Sequence, residues 1–193
     1  MILEGKYIME THVCPWYLGY LLANPLRRLF QNPEILLSPY LQAGMKVLEV
    51  GPGMGFFSLP MARMVGETGR IYCVDLQEKM LKSLQRRASN KNLLERIEVH
   101  RCSESSLQIG FLAGMIDFSL LFAVIHEVPN QEQLFLEIVP SLKQNGLLLI
   151  AEPRGHVTDE DFKRTLSHVQ RNGMKLVDSP NINKSHTTLF KKI

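Results

Sequence analysis

The sequence predicts an α/β fold built on a doubly wound parallel sheet, with an N-terminal helical flap ahead of it. Short apolar runs alternate with amphipathic stretches from residue 45 onward. These runs show little polar–apolar alternation, which is typical of strands buried on both faces. The stretches between them are long enough for helices that connect parallel strands. Because such connections are right-handed, the helices are expected to cover both faces of the sheet.

The flap is predicted at residues 1–40, and the main domain at residues 41–193. Prolines open or close three predicted helices in the flap, at 16–23, 25–30 and 33–41. We interpret these helices as packing on the main domain. A helix lying on a membrane surface is the alternative, and the lack of a sustained basic face disfavours it.

The main domain is predicted to begin with two strand–helix pairs. The first strand, Lys46–Val50, is apolar and ends in a glycine cluster, and a helix follows at 57–65. The second strand, at 70–74, closes on Asp75 and precedes a helix at 77–90.

The remaining elements follow the same pattern. The third strand is predicted at Ile97–Arg101, the almost wholly apolar fourth strand at 117–124, a helix at 131–142, the fifth strand at 147–151, a helix at Asp159–Arg171, and two short strands at 175–177 and 187–190. Asn-Gly pairs at 145–146 and 172–173 follow the last two predicted helices. These pairs indicate helix ends, because Asn and Gly tolerate the left-handed conformation that ends a helix.

Composition and charge exclude several classes of protein. The chain has 193 residues, of which 45% are hydrophobic and 21% charged, as in a globular protein. Its 22 Lys and Arg against 19 Asp and Glu leave an excess of +3, too small to indicate a nucleic-acid partner. Three cysteines without a CxxC pair indicate reduced thiols and a cytoplasmic location. No run reaches the roughly 18 apolar residues of a membrane span.

The glycine cluster is the segment that points to chemistry. It reads Glu49-Val50-Gly51-Pro52-Gly53-Met54-Gly55 and stands where doubly wound sheets bind ligands. Glycines leave the backbone open to a ligand, and the next helix presents free N–H groups. A dinucleotide fingerprint needs a further glycine where Phe56 stands, which disfavours a nicotinamide or flavin cofactor.

Two acids accompany the glycines. Asp75, after the second strand, can accept hydrogen bonds from both ribose hydroxyls of an adenosine. Alternatively, the glycines serve only a tight turn and Asp75 only caps a helix. Glu49 disfavours this alternative, since an acid inside an apolar strand needs a reason.

Together these residues resemble the cofactor loop of class I S-adenosylmethionine-dependent methyltransferases. The resemblance runs from about residue 41 to the end of the chain. It includes three further segments, Asp117-Phe118-Ser119-Leu120, Val124-Ile125-His126-Glu127-Val128-Pro129 and Ser141-Leu142-Lys143-Gln144-Asn145-Gly146-Leu147. It implies a seven-stranded, mostly parallel sheet whose last strand is antiparallel.

The resemblance also implies how S-adenosylmethionine would bind as cofactor. Gly51, Gly53 and Gly55 would lie against it, and Glu49 would organise the site near its methionine amino group. These expectations cover the end of the first strand.

Residues after the second and third strands would bind the nucleoside. Asp75 would bind the ribose hydroxyls, and Leu76 would flank the adenine. Ser103 and Glu104 would lie near the adenine amino group. Many relatives have Asp at the position of Ser103, so this sequence departs from the family pattern there.

His126 is the candidate catalytic residue, because it follows the fourth strand where the crevice opens. A sulfonium methyl group is already activated, so a base is needed only when the nucleophile must lose a proton. Base catalysis and simple capping of the strand end both remain open for His126. Arg154 and His156, after the fifth strand, are candidates for the acceptor side or for a helix-initiating turn.

His12 and Cys14 are the remaining unusual pair. Two ligands do not make a metal site, and a third would have to come from His126 or His156, so we predict no metal.

The sequence therefore predicts S-adenosylmethionine-dependent methyl transfer to a small-molecule acceptor. A cofactor-binding protein of the same fold without turnover is one alternative, and a methyltransferase acting on a macromolecule is another. A homodimer is possible. No nucleic-acid partner is expected, and the acceptor atom stays open.

Overall fold

A computed structural model describes Tyr17, Arg27 and residues 31–193. Most of the predicted flap therefore lies outside the described residues, and the division of the chain at residue 40 stays a prediction. The predicted features outside the described residues are the helices at 16–23 and 25–30, apart from Tyr17 and Arg27, and the residues His12 and Cys14.

A seven-stranded sheet forms the centre of the main domain. Its strands are β1 (Lys46–Val50), β2 (Arg70–Asp75), β3 (Ile97–Arg101), β4 (Ile116–Phe122), β5 (Leu142–Pro153), β6 (Met174–Asp178) and β7 (Ser185–Lys192). They lie in the order β3-β2-β1-β4-β5-β7-β6, and β7 runs antiparallel to both of its neighbours. The chain passes from β1 outward to β3 and then returns to β4. The carboxyl ends of β1 and β4 therefore flank the switch point where such sheets bind ligands.

Helices cover both faces of the sheet. They are α1 (Pro33–Leu37), α2 (Ser58–Met64), α3 (Glu78–Ser89), α4 (Gln131–Ser141) and α5 (Asp159–Arg171). One buried cluster joins the sheet to α1, α2 and α3, with Leu37, Leu59 and Leu84 among its members. A second cluster on the other face includes Phe135 of α4 and Phe162 of α5. Strand residues alternate between the two clusters because successive side chains point to opposite faces.

Polar caps fix the starts of two helices beside the sheet. The Asn130 side chain accepts from the N–H of Gln133 at the start of α4, and Thr158 accepts from the N–H of Asp161 at the start of α5. Such caps satisfy backbone donors that the helix itself leaves unpaired.

Two predicted boundaries are wrong by several residues. β5 begins at Leu142, because the segment expected to be a turn pairs with β4 through a bulge, with Asn145 at φ 64°. α1 ends at Leu37 rather than at residue 41, since Pro39 has no N–H to donate to the carbonyl of Ile35, four residues earlier. In the part of the chain that the structure describes, no helix has the length and apolar character to cross a membrane.

Candidate active site

A cleft opens at the carboxyl ends of β1, β2 and β4, beside the loop that follows β3. Seven of the residues predicted to bind the cofactor line it, namely Glu49, Gly51, Gly53, Asp75, Leu76, Ser103 and Glu104. Gly55 and His126 lie next to the cleft and are not part of its lining. The topology therefore brings most of the expected site together from three separate loops.

The glycines of the loop after β1 differ in what surrounds them. A Cβ on Gly51, at φ 70°, would come within 2.5 Å of Val124 Cγ2, so this glycine allows close packing against the segment after β4. A Cβ on Gly53, at φ 54°, would meet no atom within 4 Å. Gly53 therefore presents its backbone to open space in the cleft.

Gly55 is predicted to lie against the cofactor, and in the structure it stands outside the cleft lining. A Cβ there would lie 2.4 Å from Leu84 Cδ1 of α3, and Gly55 is fully enclosed. Its missing side chain lets α3 approach the loop, so its place in the motif is explained by packing.

Glu49 is an acid buried beneath the glycine loop, with 3% of its surface exposed. The Ser58 hydroxyl donates to its Oε2 at 2.5 Å, and the Cys73 thiol lies 3.9 Å from the same oxygen. Burial raises the pKa of Glu49 to about 7, against the lowering effect of Ser58. No described residue forms an ion pair with Glu49. A cationic group of a ligand would therefore meet a carboxylate that has no cationic partner among the described residues.

Asp75 stands at the end of β2 and accepts the N–H of Gln77 at 2.8 Å. Burial raises the pKa of Asp75 to about 6, while the N–H groups of Gln77 and Gly53 act in the opposite direction. The charge of Glu127, from the segment after β4, also raises this pKa. Asp75 and Glu127 therefore interact electrostatically within one cleft.

The loop after β3 is held from α4. Ser103 Oγ donates to the Ser106 carbonyl at 3.2 Å. Glu137 of α4 accepts the N–H groups of Leu107 at 3.1 Å and Gln108 at 2.8 Å. Sequence reasoning missed Glu137, because its partners lie about thirty residues earlier and no local pattern marks them.

His126 follows β4 in a short 3-10 turn, Ile125–Glu127. Its Nδ1 lies 2.6 Å from Oε2 of Glu152, and its Nε2 lies 4.0 Å from Oε1 of Glu127. The hydrogen bond to Glu152 raises the pKa of His126, although partial burial opposes this effect. His126 thus stands between two acids, and only Glu127 lines the cleft.

Aromatic rings and one cation form another part of the wall. The guanidinium carbon of Arg27 lies 4.3 Å from the ring centroid of Phe56, and Phe57 and Phe122 lie within 6 Å of it. This is the distance range of cation–π attraction. Burial lowers the pKa of Arg27.

Other candidate residues take lesser positions. Arg154 Nε donates to the Ser185 carbonyl at 3.2 Å, and the ring of His156 lies 5.5 Å from that of His126. Cys102, directly after β3, also lines the cleft, and burial raises the pKa of its thiol to about 11. Within Tyr17, Arg27 and residues 31–193, no three His, Cys, Asp or Glu side chains cluster as metal ligands do.

Comparison with known protein families decides the identity of the fold. The model of a family described as a methyltransferase domain matches residues 41–192. The chain belongs to this family. That membership confirms the predicted class, the S-adenosylmethionine-dependent methyltransferases, together with the predicted enzyme type and cofactor.

Individual relatives of this methyltransferase domain are distant. A crystal structure of a SAM-dependent methyltransferase from Aquifex aeolicus has a TM-score of 0.79 at 24% identity, covering 92% of this chain and 97% of that one, which shows the shared fold. The ubiquinone/menaquinone biosynthesis C-methyltransferase UbiE of Shewanella pealeana is 27% identical over 109 residues, or 56% of this chain and 43% of that protein. The 23S rRNA (uracil(1939)-C(5))-methyltransferase RlmD of Acinetobacter baylyi is 36% identical over a segment that covers 48% of this chain and 22% of that protein. The chain thus spans half or less of the curated relatives it matches.

The site of this methyltransferase domain fits S-adenosylmethionine. Gly53 leaves space that a side chain would otherwise fill, and Glu49 is a buried acid to which no described residue supplies a cation. Asp75 adds a second acid at the neighbouring strand end. These three features match two parts of S-adenosylmethionine, its methionine moiety with a positively charged ammonium group and its ribose with two hydroxyl groups.

Proposed function

We propose that this methyltransferase domain transfers a methyl group from S-adenosylmethionine to a small-molecule acceptor. The observation that carries this proposal is the pair of acids, buried Glu49 and half-buried Asp75, at neighbouring strand ends beside the open backbone of Gly53. Two acids with raised pKa values in one cleft are costly to folding, and a functional ligand accounts for keeping them.

The proposed roles of the cofactor-binding residues follow from their chemistry. When bound, S-adenosylmethionine supplies a methyl group already activated by a sulfonium. Glu49 binds the ammonium group of the cofactor as a carboxylate, and Asp75 accepts hydrogen bonds from the ribose hydroxyls. Leu76 packs beside the adenine.

Ser103 and Glu104 complete the adenine side of this proposal. Ser103 already donates to the Ser106 carbonyl, so it offers an oxygen acceptor where relatives carry a carboxylate. Gly51 and Gly53 keep the loop backbone close to the ligand, and Gly55 acts through packing.

On the acceptor side, we propose that His126 handles the proton of a protic acceptor through Glu127. The carboxylate of Glu127 lines the cleft, and His126 Nε2 lies 4.0 Å from it. A proton released from the acceptor would move first to Glu127, with His126 behind it. This step applies only to acceptors that lose a proton on methylation.

The charge of the cleft favours a small acceptor over a nucleic acid. Among the described lining residues, the acids are Glu49, Asp75, Glu104, Glu127 and Glu137, and the basic residue is Arg27. Such a wall repels a polyanion. The similarity to RlmD, an rRNA methyltransferase, makes a macromolecule the second candidate acceptor. The similarity to UbiE, a methyltransferase of ubiquinone and menaquinone biosynthesis, supports a small molecule.

Calorimetric titration with S-adenosylhomocysteine tests the proposed cofactor site. Saturable binding by the folded protein is expected, and binding should persist in Glu132→Gln, a matched change on the exposed start of α4. Absence of binding in both folded proteins would sink the proposal.

Labelled cofactor with fractionated metabolites then tests transfer. Label recovered in a small molecule supports the proposed acceptor class, and label recovered only in RNA or protein contradicts it. No transfer to any fraction, despite binding, favours a binding protein without turnover. The cytoplasmic location and the possible homodimer remain part of this proposal, and size-exclusion chromatography of the full chain tests the homodimer.

A further inference from the structure

Glu152 is a buried acid beside the cleft that sequence reasoning did not single out. It lies near the end of β5, and its side chain is 1% exposed. Its Oε1 accepts the N–H groups of Val124 at 2.9 Å and Ile125 at 3.0 Å. Its Oε2 accepts the N–H of His126 at 3.2 Å and lies 2.6 Å from Nδ1 of that ring. Both oxygens of Glu152 accept backbone N–H groups, so the ring supplies the hydrogen of the short contact, at Nδ1.

The segment that Glu152 holds begins with backbone in an unfavourable conformation. Ala123 has φ 54°, in the left-handed region that side chains disfavour, and its N–H donates to the Ala151 carbonyl at 2.7 Å. Such a residue persists only where its surroundings impose the conformation. The bonds from Glu152 to the next three N–H groups supply that constraint.

The same segment builds one wall of the cleft. Val124 packs where a side chain on Gly51 would collide with it. Glu127 lines the cleft, and its charge raises the pKa of Asp75. A shift of residues 123–127 would therefore change both the glycine loop and the charge near Asp75.

We propose that Glu152 is a positioning residue of the active site, which holds residues 123–127 and the His126 ring so that Glu127 stands in the cleft wall. Glu152 does not line the cleft, and its effect passes through His126 and three backbone N–H groups. The link to catalysis rests on the proposed function, whereas the positioning itself does not.

The groups facing the His126 ring are Glu152 from β5, Glu127 from its own turn, and His156 from the turn after β5. With Nδ1 fixed on Glu152, Nε2 is directed to Glu127. The tautomer of His126 is therefore a direct readout of the contact with Glu152.

Substitution Glu152→Gln tests the proposal while keeping the side-chain shape. The amide oxygen can still accept from Val124 and Ile125, but the amide nitrogen would then face the donors of His126. Nitrogen NMR of the ring should show a hydrogen at Nδ1 in the neutral wild type and at Nε2 in the variant. The pKa of His126 should fall in the variant, and exchange of the His126 amide, which loses its acceptor, should accelerate about tenfold. Glu132→Gln should match the wild type in all three readouts.

An unchanged tautomer, pKa and exchange rate in a folded Glu152→Gln protein overturns the proposal. If the variant does not fold, the wild type decides: a His126 pKa at or below its ordinary value, or a neutral ring with its hydrogen at Nε2, overturns it equally. Titration with S-adenosylhomocysteine separates the two claims. Binding about fivefold weaker in the variant supports the effect on the cleft, and equal binding contradicts that effect. A wild type that binds no S-adenosylhomocysteine but shows the expected tautomer refutes only the proposed function.

Discussion

Replacing Glu49 with Gln should change how the free energy of unfolding depends on pH. Burial raises the pKa of Glu49 from 4.5 to about 7. Each pKa unit corresponds to about 1.4 kcal/mol, so the ionised side chain destabilises the folded protein by about 3 kcal/mol. The folded state holds this proton between pH 4.5 and about 7, where the unfolded chain has lost it. Stability from this group is therefore greatest below pH 4.5 and falls as pH rises to about 7.

The Gln variant removes that slope. The side-chain N–H groups of the new Gln have no described acceptor next to Ser58. This unpaired amide lowers the free energy of unfolding by the same amount at every pH. The difference in unfolding free energy between variant and wild type should therefore shift in favour of the variant by up to about 3 kcal/mol between pH 4 and pH 8. Because every other titrating group is shared, the subtraction leaves the contribution of Glu49 together with its electrostatic coupling to Asp75.

Urea unfolding followed by circular dichroism at pH 4, 6 and 8 measures this difference. Glu132→Gln, on the exposed surface of α4, should stay within about 0.5 kcal/mol of the wild type throughout. Excess S-adenosylmethionine at a hundred times its Kd should stabilise the wild type by about 2.7 kcal/mol and the Glu49 variant far less. A difference that is constant from pH 4 to pH 8 would refute the claim that Glu49 is a buried acid lacking a cation.

Three further predictions concern the cofactor. Asp75→Asn should weaken S-adenosylhomocysteine binding about tenfold or more in calorimetry, because a charged acceptor of hydroxyl hydrogen bonds is lost; equal affinity would remove Asp75 from the site. Affinity of the wild type for S-adenosylmethionine should rise between pH 5 and pH 8, because Asp75 has a pKa of about 6 and Glu49 a pKa of about 7; affinity that falls over this range contradicts both assignments. Gly53→Ala should lower the free energy of unfolding by only about 1 kcal/mol yet abolish most cofactor binding. Gly55→Ala should lower the free energy of unfolding several times more, because its Cβ would collide with Leu84. Thermal unfolding and titration of both variants measure the two losses.

The order of elements and most of the cleft follow from local sequence patterns. The ends of Lys46–Val50 and of the second strand mark the positions of Glu49 and Asp75, because parallel strands place their carboxyl ends at one edge of the sheet. Apolar runs mark most helices and strands nearly to their ends, and the Asn-Gly pair at 172–173 directly follows the end of α5. The start of β5 escaped prediction, since its bulge at Asn145 carries the same residues as a turn.

Other parts of the site depend on contacts distant in sequence. Glycine spacing alone does not distinguish Gly53, which faces open space, from Gly55, which faces Leu84. Glu137 and Glu152 serve backbone N–H groups about thirty residues earlier, and no periodicity connects them. The signal that could have found Glu152 is the one used for Glu49, an acid within an apolar strand.

These two buried acids show how hydrogen-bond donors separate positioning from binding. Glu152 meets three backbone N–H groups and the His126 ring, so its oxygens are committed to the protein. Glu49 receives one hydroxyl at 2.5 Å, from Ser58, and a long contact from Cys73. A carboxylate surrounded by donors is stabilised without a ligand, whereas one with a single strong donor gains most from a cation. The count of donors thus supports the proposed positioning role of Glu152 and the proposed ligand-binding role of Glu49, although the two acids are buried to almost the same extent.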